Sequence, residues 1–335
     1  VVNPSRMDPS PKALSLVLLL CSLCAPCSPA EFCCGTVVPE SPVLELGKTF
    51  TATCVLSEHG HQQTGATADD IYWEFANVTV DRKYYTKINE SAVSVTVNVT
   101  QDLRSPLKCN VATRVLPRKN VHGIFFTVGY PPEKPNNLSC IVVQSGTNIS
   151  SKMSCKWDRG ARDPLLETTY IIHASFFNKH FSGTSTDKNH GELDFGVLPI
   201  YVIMNISVEV ANKLGRISSD ILTRDPLDFL KVNPPKDVTV SCEEAFPMAL
   251  MVKWEHPLVS PEIPLLYNIR FSAAGTNVWS EISPDDIPSE ISSFRLQNLK
   301  PNTVYAVQVR CMYFESKMYW SDWSESVMEK TPEDS

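Results

Sequence analysis

Two proline pairs, Pro131-Pro132 and Pro234-Pro235, stand 103 residues apart, and each introduces a strand-like run ending in Ser-Cys: Asn137-Leu-Ser-Cys140 after the first, Val238-Thr-Val-Ser-Cys242 after the second. A repeat of this period means that a unit of about one hundred residues occurs twice. Proline fixes φ, so the links entering both units are stiff. Boundaries near residues 130 and 233 follow, and they leave a segment of similar length ahead of the first pair. The 335-residue chain therefore reads as three modules, 31–130, 131–233 and 234–335, each long enough for its own apolar core.

Within the modules, short Val/Ile/Thr/Tyr/Phe runs alternate with polar residues and are broken by Pro, Asn, Ser and Gly, as in Ala92-Val-Ser-Val-Thr-Val-Asn-Val-Thr100. This is strand periodicity. No long stretch repeats apolar residues at helical spacing, so the expected fold class is all-β: three tandem β-sandwiches, with helix nearly absent. In the first module Cys54 is followed by Trp73 nineteen residues on and then by Cys109, the spacing of an immunoglobulin-like sandwich whose inter-sheet disulfide packs on a tryptophan. Leu107 stands where that fold often carries a corner tyrosine. The other two modules show fibronectin type III features, clearest in the third. There Trp254 marks a second strand, Tyr267-Asn-Ile-Arg-Phe271 a third, and Leu299-Lys-Pro-Asn-Thr-Val-Tyr305 a tyrosine corner entering a sixth.

The first thirty residues stand outside the fold. A polar start from Met7 to Lys12 precedes the apolar run Ala13 to Ala25, and Ser28-Pro29-Ala30 suits cleavage. The run is too short to span a bilayer, so it reads as a secretion signal with a mature start near Glu31 and with Val1 to Arg6 upstream. No other run is apolar enough to cross a membrane. Sequons at Asn77, Asn89, Asn98, Asn137, Asn148 and Asn205 agree with secretion. Cys21, Cys24 and Cys27 leave with the signal, and the remaining cysteines face an oxidising compartment in which pairing is the default. Cys54 with Cys109 and Cys140 with Cys155 are the expected disulfides. Cys33 and Cys34 are left over, and Cys242 and Cys311 either pair across the third module or stay free.

Thirty basic against 37 acidic residues give a net charge of −7, and no Lys/Arg run forms a stripe suited to phosphates. Nucleic acid is not an expected partner. The seven histidines are scattered, and the close pair His59-Gly-His61 sits in a polar Gln/Gly/Thr stretch that reads as a solvated loop. Neither a nucleophile with a base, nor paired carboxylates, nor a metal-ligand cluster, nor a Gly-rich phosphate loop stands out. The chain is therefore not expected to be an enzyme, and no catalytic residue, cofactor or metal is assigned.

Two details are more specific. Cys140 and Cys155, the latter in Cys155-Lys-Trp157, close a short loop, a constraint worth roughly 3 kcal/mol in the chain-entropy model. Late in the third module, Trp320-Ser-Asp-Trp-Ser324 places two indoles three residues apart. Indoles stack well under guanidinium groups, and Arg310 and Arg270 on neighbouring strands are the cations available. An alternating aromatic and cationic ladder is expected, structural in its role.

On these residues the chain resembles the class I cytokine receptors. Pro39-Glu-Ser-Pro-Val43, Phe50-Thr-Ala-Thr-Cys-Val-Leu56, Pro131-Pro-Glu-Lys-Pro135, Asn137-Leu-Ser-Cys-Ile-Val142 and Tyr319-Trp-Ser-Asp-Trp-Ser324 look like the shared signal-transducing subunits of the interleukin-6 receptor family over roughly residues 33–332. The resemblance implies an extracellular cytokine-binding portion, either secreted or the ectodomain of a plasma-membrane receptor. Its implied partners are four-helix cytokines of the interleukin-6 family with their alpha receptors, and other signal-transducing subunits. Binding would use the elbow between modules two and three, at Tyr201, Leu258, Val259, Glu262, Ile263, Tyr313 and Phe314. A second epitope would lie on the immunoglobulin module around Cys34 to Val43. A naturally soluble decoy form, or a relative similar to the granulocyte colony-stimulating factor receptor, are the alternatives within the class. An adhesion or matrix protein built of the same modules would lack both the C-x-W sequence and the tryptophan pair.

The chain also departs from the family pattern. Phe181 to Asp187 stand where a second disulfide of module two should begin, and no cysteine near Ser57 to His61 can meet Cys34. Gln308 occupies the place of a further ladder cation, so the stack is expected to be one rung short.

Overall fold

The computed structural model describes residues 34–100, 105–114, 117–185, 187–243 and 245–333. The signal segment, Cys33 and Ser335 lie outside the described residues. Contacts divide the chain into two compact units, one ending at Gly129 and one beginning at Tyr130.

The first unit is a sandwich of two antiparallel sheets. One runs Gly35–Val38, Thr49–Leu56, Ala92–Asn98, Tyr85–Asn89; the other runs Val78–Thr79, Ile71–Phe75, Leu107–Val111, Lys119–Ile124. Alternation decides which side chains go inside: in Thr49–Leu56 every second residue is buried, as a strand with one core face requires. Cys54 and Cys109 join the two sheets through a disulfide. Trp73, fully buried, lies directly opposite Cys109 in the ladder. Leu107 is also fully buried. The pin that a corner tyrosine would supply comes from elsewhere: the Tyr85 hydroxyl accepts from Trp73 N at 2.7 Å and donates to Val80 O at 2.9 Å, tying one sheet to the other.

One expectation fails in this unit. His59 and His61 do not sit in a loop but in a short α-helix, Glu58–Thr64. Ser57 caps it by accepting from Gly60 N at 3.0 Å, and Gly65 ends it in the left-handed conformation at φ 63°. Serine and glycine read as loop residues in the sequence, yet here they are the start and stop signals of a helix. His61 Nδ1 lies 2.7 Å from Ala66 O and His59 Nε2 2.9 Å from Gln63 Nε2, so both rings are engaged locally.

The second unit holds two further sandwiches. The first has sheets His190–Asp194, Asn148–Asp158, Asn136–Ser145, Leu230–Lys231 and Lys179–Thr184, Thr169–Phe176, Met204–Asn212, Gly215–Ser218. Cys140 and Cys155 face each other on adjacent strands and are bonded, Cα to Cα 4.0 Å. Trp157 is buried and donates to Lys188 O. The second has Lys236–Cys242, Leu250–Glu255, Ser293–Leu296 packed on Ser280–Ile282, Leu265–Ala273, Val304–Tyr313, Val327–Lys330. Trp254 is buried, and the Tyr305 hydroxyl accepts from Lys300 N at 3.0 Å, as a tyrosine corner should. A single apolar core runs through both sandwiches, from Cys140 and Val142 to Cys311 and Tyr313. Cys242 is exposed and Cys311 buried, and neither is paired. They sit on strands of opposite sheets, and the Cys311 thiol instead points to Asn233 O at 3.5 Å. Among the described residues no helix is long and apolar enough to cross a membrane.

Candidate functional site

The junction of the two sandwiches is fastened mainly by hydrogen bonds to backbone groups. Gln144, 7 % exposed at the end of its strand, donates from Nε2 to Pro257 O at 2.8 Å and to Gly146 O at 2.9 Å, and its Oε1 accepts from Asn233 N at 2.8 Å. Val259 N donates to Thr147 O at 2.8 Å, and the Tyr319 hydroxyl to Cys140 O at 2.8 Å. Lys231 and Asp322 add a surface pair at 3.2 Å. Since buried backbone groups must be satisfied, these contacts fix how one sandwich meets the other.

Three loops gather at this junction. His256 spans Leu258 O at 3.2 Å and Ile263 O at 3.1 Å, shaping the 258–264 loop. Phe314 N donates to Pro264 O at 3.0 Å, joining the 313–319 loop to it. Tyr201 heads the third loop with φ +57°, a left-handed conformation unusual for an aromatic residue. Burial, then the Glu315 carboxylate, push the Tyr313 hydroxyl above the ordinary phenol range, with Tyr201 and Asp225 contributing further. Asp225 is itself raised, first by burial and then by neighbouring acids, although Leu227 N donates to its carboxylate at 2.9 Å.

Of the residues expected to present side chains at this elbow, Tyr201 is 62 % exposed, Val259 64 % and Phe314 41 %, and Glu262 is exposed as well. Leu258, Ile263 and Tyr313 are not surface groups. All three are buried in the shared core, because the loops fold their apolar residues inward and leave the intervening positions outside. They support the elbow without being available on it. Sequence reasoning missed Gln144, Ile203 and Met318. The last two are exposed apolar groups on the same loops, and nothing in their local pattern separates them from strand residues.

The tryptophan motif builds a ladder beside the elbow. Trp279, Arg270, Trp323, Arg310 and Trp320 alternate, with guanidinium-to-ring separations of 4.4, 4.3, 4.3 and 4.4 Å. Gln308 adds no cation to the stack but braces it. Its Oε1 accepts from Arg270 Nε and Nη2 at 2.8 and 2.6 Å, and its Nε2 donates to Ser324 O. Trp279, absent from the expected set, supplies the outer ring. Arg310 Nε donates to Asn268 Oδ1 at 2.9 Å, and burial lowers the guanidinium pKa. The two serines take the place of strand residues. Ser321 N donates to Cys311 O while its Oγ accepts from Cys311 N, and Ser324 does the same with Val309. All six sequon asparagines are exposed.

Comparison with known proteins agrees with this architecture. Residues 32–126 match the model of an Ig-like C2-type domain, and residues 233–329 that of the fibronectin type III domain. The chain is 38 % identical to human interleukin-6 receptor subunit beta over 304 residues, which is 90 % of this chain and 32 % of that one. Human cytokine receptor-like factor 1 is 30 % identical over 96 % of this chain and 76 % of its own length. The human granulocyte colony-stimulating factor receptor is 26 % identical over 90 % of this chain and 37 % of its own length. The chain thus spans about a third of the interleukin-6 receptor subunits beta that it matches.

Proposed function

Because the chain belongs to the class I cytokine receptors, we propose that it is the extracellular, ligand-binding portion of a signal-transducing subunit of the interleukin-6 receptor family, engaging four-helix cytokines already held by their alpha receptors. The modules 131–233 and 234–335 form the elbow that meets the cytokine. The module 31–130 offers a second epitope, around Cys34 to Val43, to a cytokine of a neighbouring complex. Two epitopes on one chain allow a cytokine to cross-link receptors, including other signal-transducing subunits.

The observation that carries this reading is Tyr201. It is largely exposed, it is fixed in a left-handed backbone conformation on a rigid junction, and it stands near exposed Ile203, with Val259 and Phe314 on the neighbouring loops. A pre-positioned aromatic surrounded by apolar groups has the character of an interface hot spot, since tyrosine buries much area for little lost entropy. Calorimetric titration of residues 31–335 with interleukin-6, alone and preloaded on its alpha receptor, tests the reading. Markedly tighter binding of the preloaded complex is expected. Equal, negligible heat in both titrations refutes it. Tyr201→Ala is expected to lose at least about 2 kcal/mol of that binding with the fold intact, and wild-type affinity in the variant refutes the elbow assignment. A receptor similar to that for granulocyte colony-stimulating factor would instead bind its cytokine with no alpha receptor present. A soluble decoy would share the elbow and would differ in signalling alone.

A further inference from the structure

On the immunoglobulin-like module, the sheet face turned away from Trp73 is built from residues that sequence patterning treats as separate surface positions. Glu74 lies opposite Lys108, Lys108 opposite Gly123, and Asn110 opposite Asn120 in the ladder. They line an open hollow of about 790 Å³ together with Arg118, Lys119 and His122. Between Asp102 and Glu133 the sequence contains five Lys or Arg and no acidic residue, and three of them line this hollow: Lys108 from the strand Leu107–Val111, and Arg118 and Lys119 from the entry to the strand Lys119–Ile124. The cations are not contiguous in sequence, which is why no basic run is visible there.

Among the described residues, the one acid lining the hollow is already neutralised. Glu74, 4 % exposed, receives Arg118 Nη2 on both oxygens at 2.7 and 2.6 Å. Arg118 nevertheless remains 61 % exposed, so its other N–H groups stay open to solvent. The Lys108 stem lies over Gly123, where an added Cβ would meet its Cγ at 3.4 Å. Asn110 is buried, with Oδ1 taken by Asn120 at 3.1 Å and Nδ2 left with no acceptor. Among the described residues of this face the strongly exposed apolar group is Phe125, at the rim, so cations rather than a cluster of apolar anchors dominate it. Cations spaced along two adjacent strands suit a linear polyanion. The chain as a whole carries −7, so attraction must be local to this patch.

We propose that this face binds a linear sulfated polysaccharide, with Lys108, Arg118 and Lys119 as its charge contacts. The site is independent of the cytokine elbow. Immobilised heparin is the probe, and the protein is residues 31–335 produced by secretion. Retention beyond about 0.15 M salt is expected. Lys108→Ala/Lys119→Ala should reduce the slope of log affinity against log salt by roughly 1.4–1.8, at roughly 0.7–0.9 per neutralised contact on a polyanion. Arg118 is left in place because it neutralises Glu74. Lys253→Ala/Lys300→Ala, on the other unit, should leave the slope unchanged. Near-UV circular dichroism of the double variant matching the wild type assigns its loss to charge rather than folding. Elution of the wild type below about 0.15 M salt, or an unchanged slope in the Lys108/Lys119 variant, overturns the proposal. Equal retention on poly-glutamate overturns it in favour of an acidic peptide.

Discussion

Gln144 fastens the elbow, and the consequence of removing it can be worked out group by group. Gln144→Met keeps the length of the side chain and abolishes all three hydrogen bonds. Pro257 C=O and Asn233 N–H then lose their partners inside the junction, at about 1–3 kcal/mol each. Gly146 O lies in an exposed turn and finds water. The thioether recovers about 1 kcal/mol through apolar burial. The net loss is about 1–5 kcal/mol, a fall of about 0.5–2.5 M in the urea midpoint for an m-value of about 2 kcal/mol/M. Five of the six tryptophans belong to the second unit, so their fluorescence reports the transition that matters. Gln144→Glu adds a check on sign. Its carboxylate would face two carbonyl oxygens with no cation, so the folded pKa lies above the unfolded value of about 4.3. A raised folded pKa means that the protonated form is favoured in the native state, so the variant is penalised most above the folded pKa and recovers as pH falls toward about 4.3. A midpoint for Gln144→Met within about 0.5 kcal/mol of wild type, or a Gln144→Glu deficit that does not shrink on acidification, would refute the reasoning.

Arg310→Lys forfeits the fork that stacks on Trp320 and Trp323 and bonds Asn268; a loss of about 1–3 kcal/mol lowers the unfolding temperature of the second unit by about 3–9 °C, and an unchanged temperature would deny the ladder a stabilising role. Gly60→Ala should be worse than Gly47→Ala in thermal scans of the first unit. At Gly60 an added Cβ would lie 2.1 Å from Cys34 O and 2.6 Å from Cys34 Cα, whereas Gly47 has open space and only its φ of 84° to strain; the expected costs are about 1–3 kcal/mol against about 1 kcal/mol, and the reverse ranking contradicts the packing. Alkylation at pH 8 followed by peptide mapping should modify Cys242 quickly and Cys34 and Cys311 only after denaturation. Cys242 is exposed, Cys34 is buried, and burial pushes the Cys311 thiol up to about 12; rapid labelling of Cys311 in the native protein is the contrary result.

Much of the framework was legible because it is periodic or covalent. Strand alternation, the Cys54, Trp73, Cys109 spacing and the Cys155-Lys-Trp157 sequence each express one local rule, and the two disulfides and the tyrosine corner at Tyr305 follow from them. The short helix at Glu58–Thr64 was illegible because its caps are also loop residues and seven residues give too few turns for a periodic signal. Trp279 and Gln144 failed for another reason. The partners of Gln144, the backbone of Pro257 and Asn233, are brought to it by tertiary packing that no sequence window contains, and Trp279 meets Arg270 across a hairpin turn whose register the sequence does not mark. The elbow divides in the same way. Tyr201, Val259 and Phe314 point out while Leu258, Ile263 and Tyr313 point in, and residue type alone does not distinguish the two sets.

Ser321 and Ser324 explain how the tryptophan motif acts on the elbow without lying in it. An irregular segment can extend a sheet only if the backbone groups of its neighbour are still satisfied. Each serine satisfies two, giving its N–H to a carbonyl and its hydroxyl oxygen to an N–H of the strand Val304–Tyr313. The segment thereby stays pinned to that strand while both indoles remain stacked on Arg270 and Arg310. The same strand leads directly into the loop bearing Phe314, and Tyr319, immediately before the motif, anchors across the junction to Cys140 O. The 313–319 loop is thus fixed at both ends by the motif and its strand. A substitution in the ladder is therefore expected to reach the proposed cytokine surface through the placement of Phe314, with no ladder residue in contact with ligand.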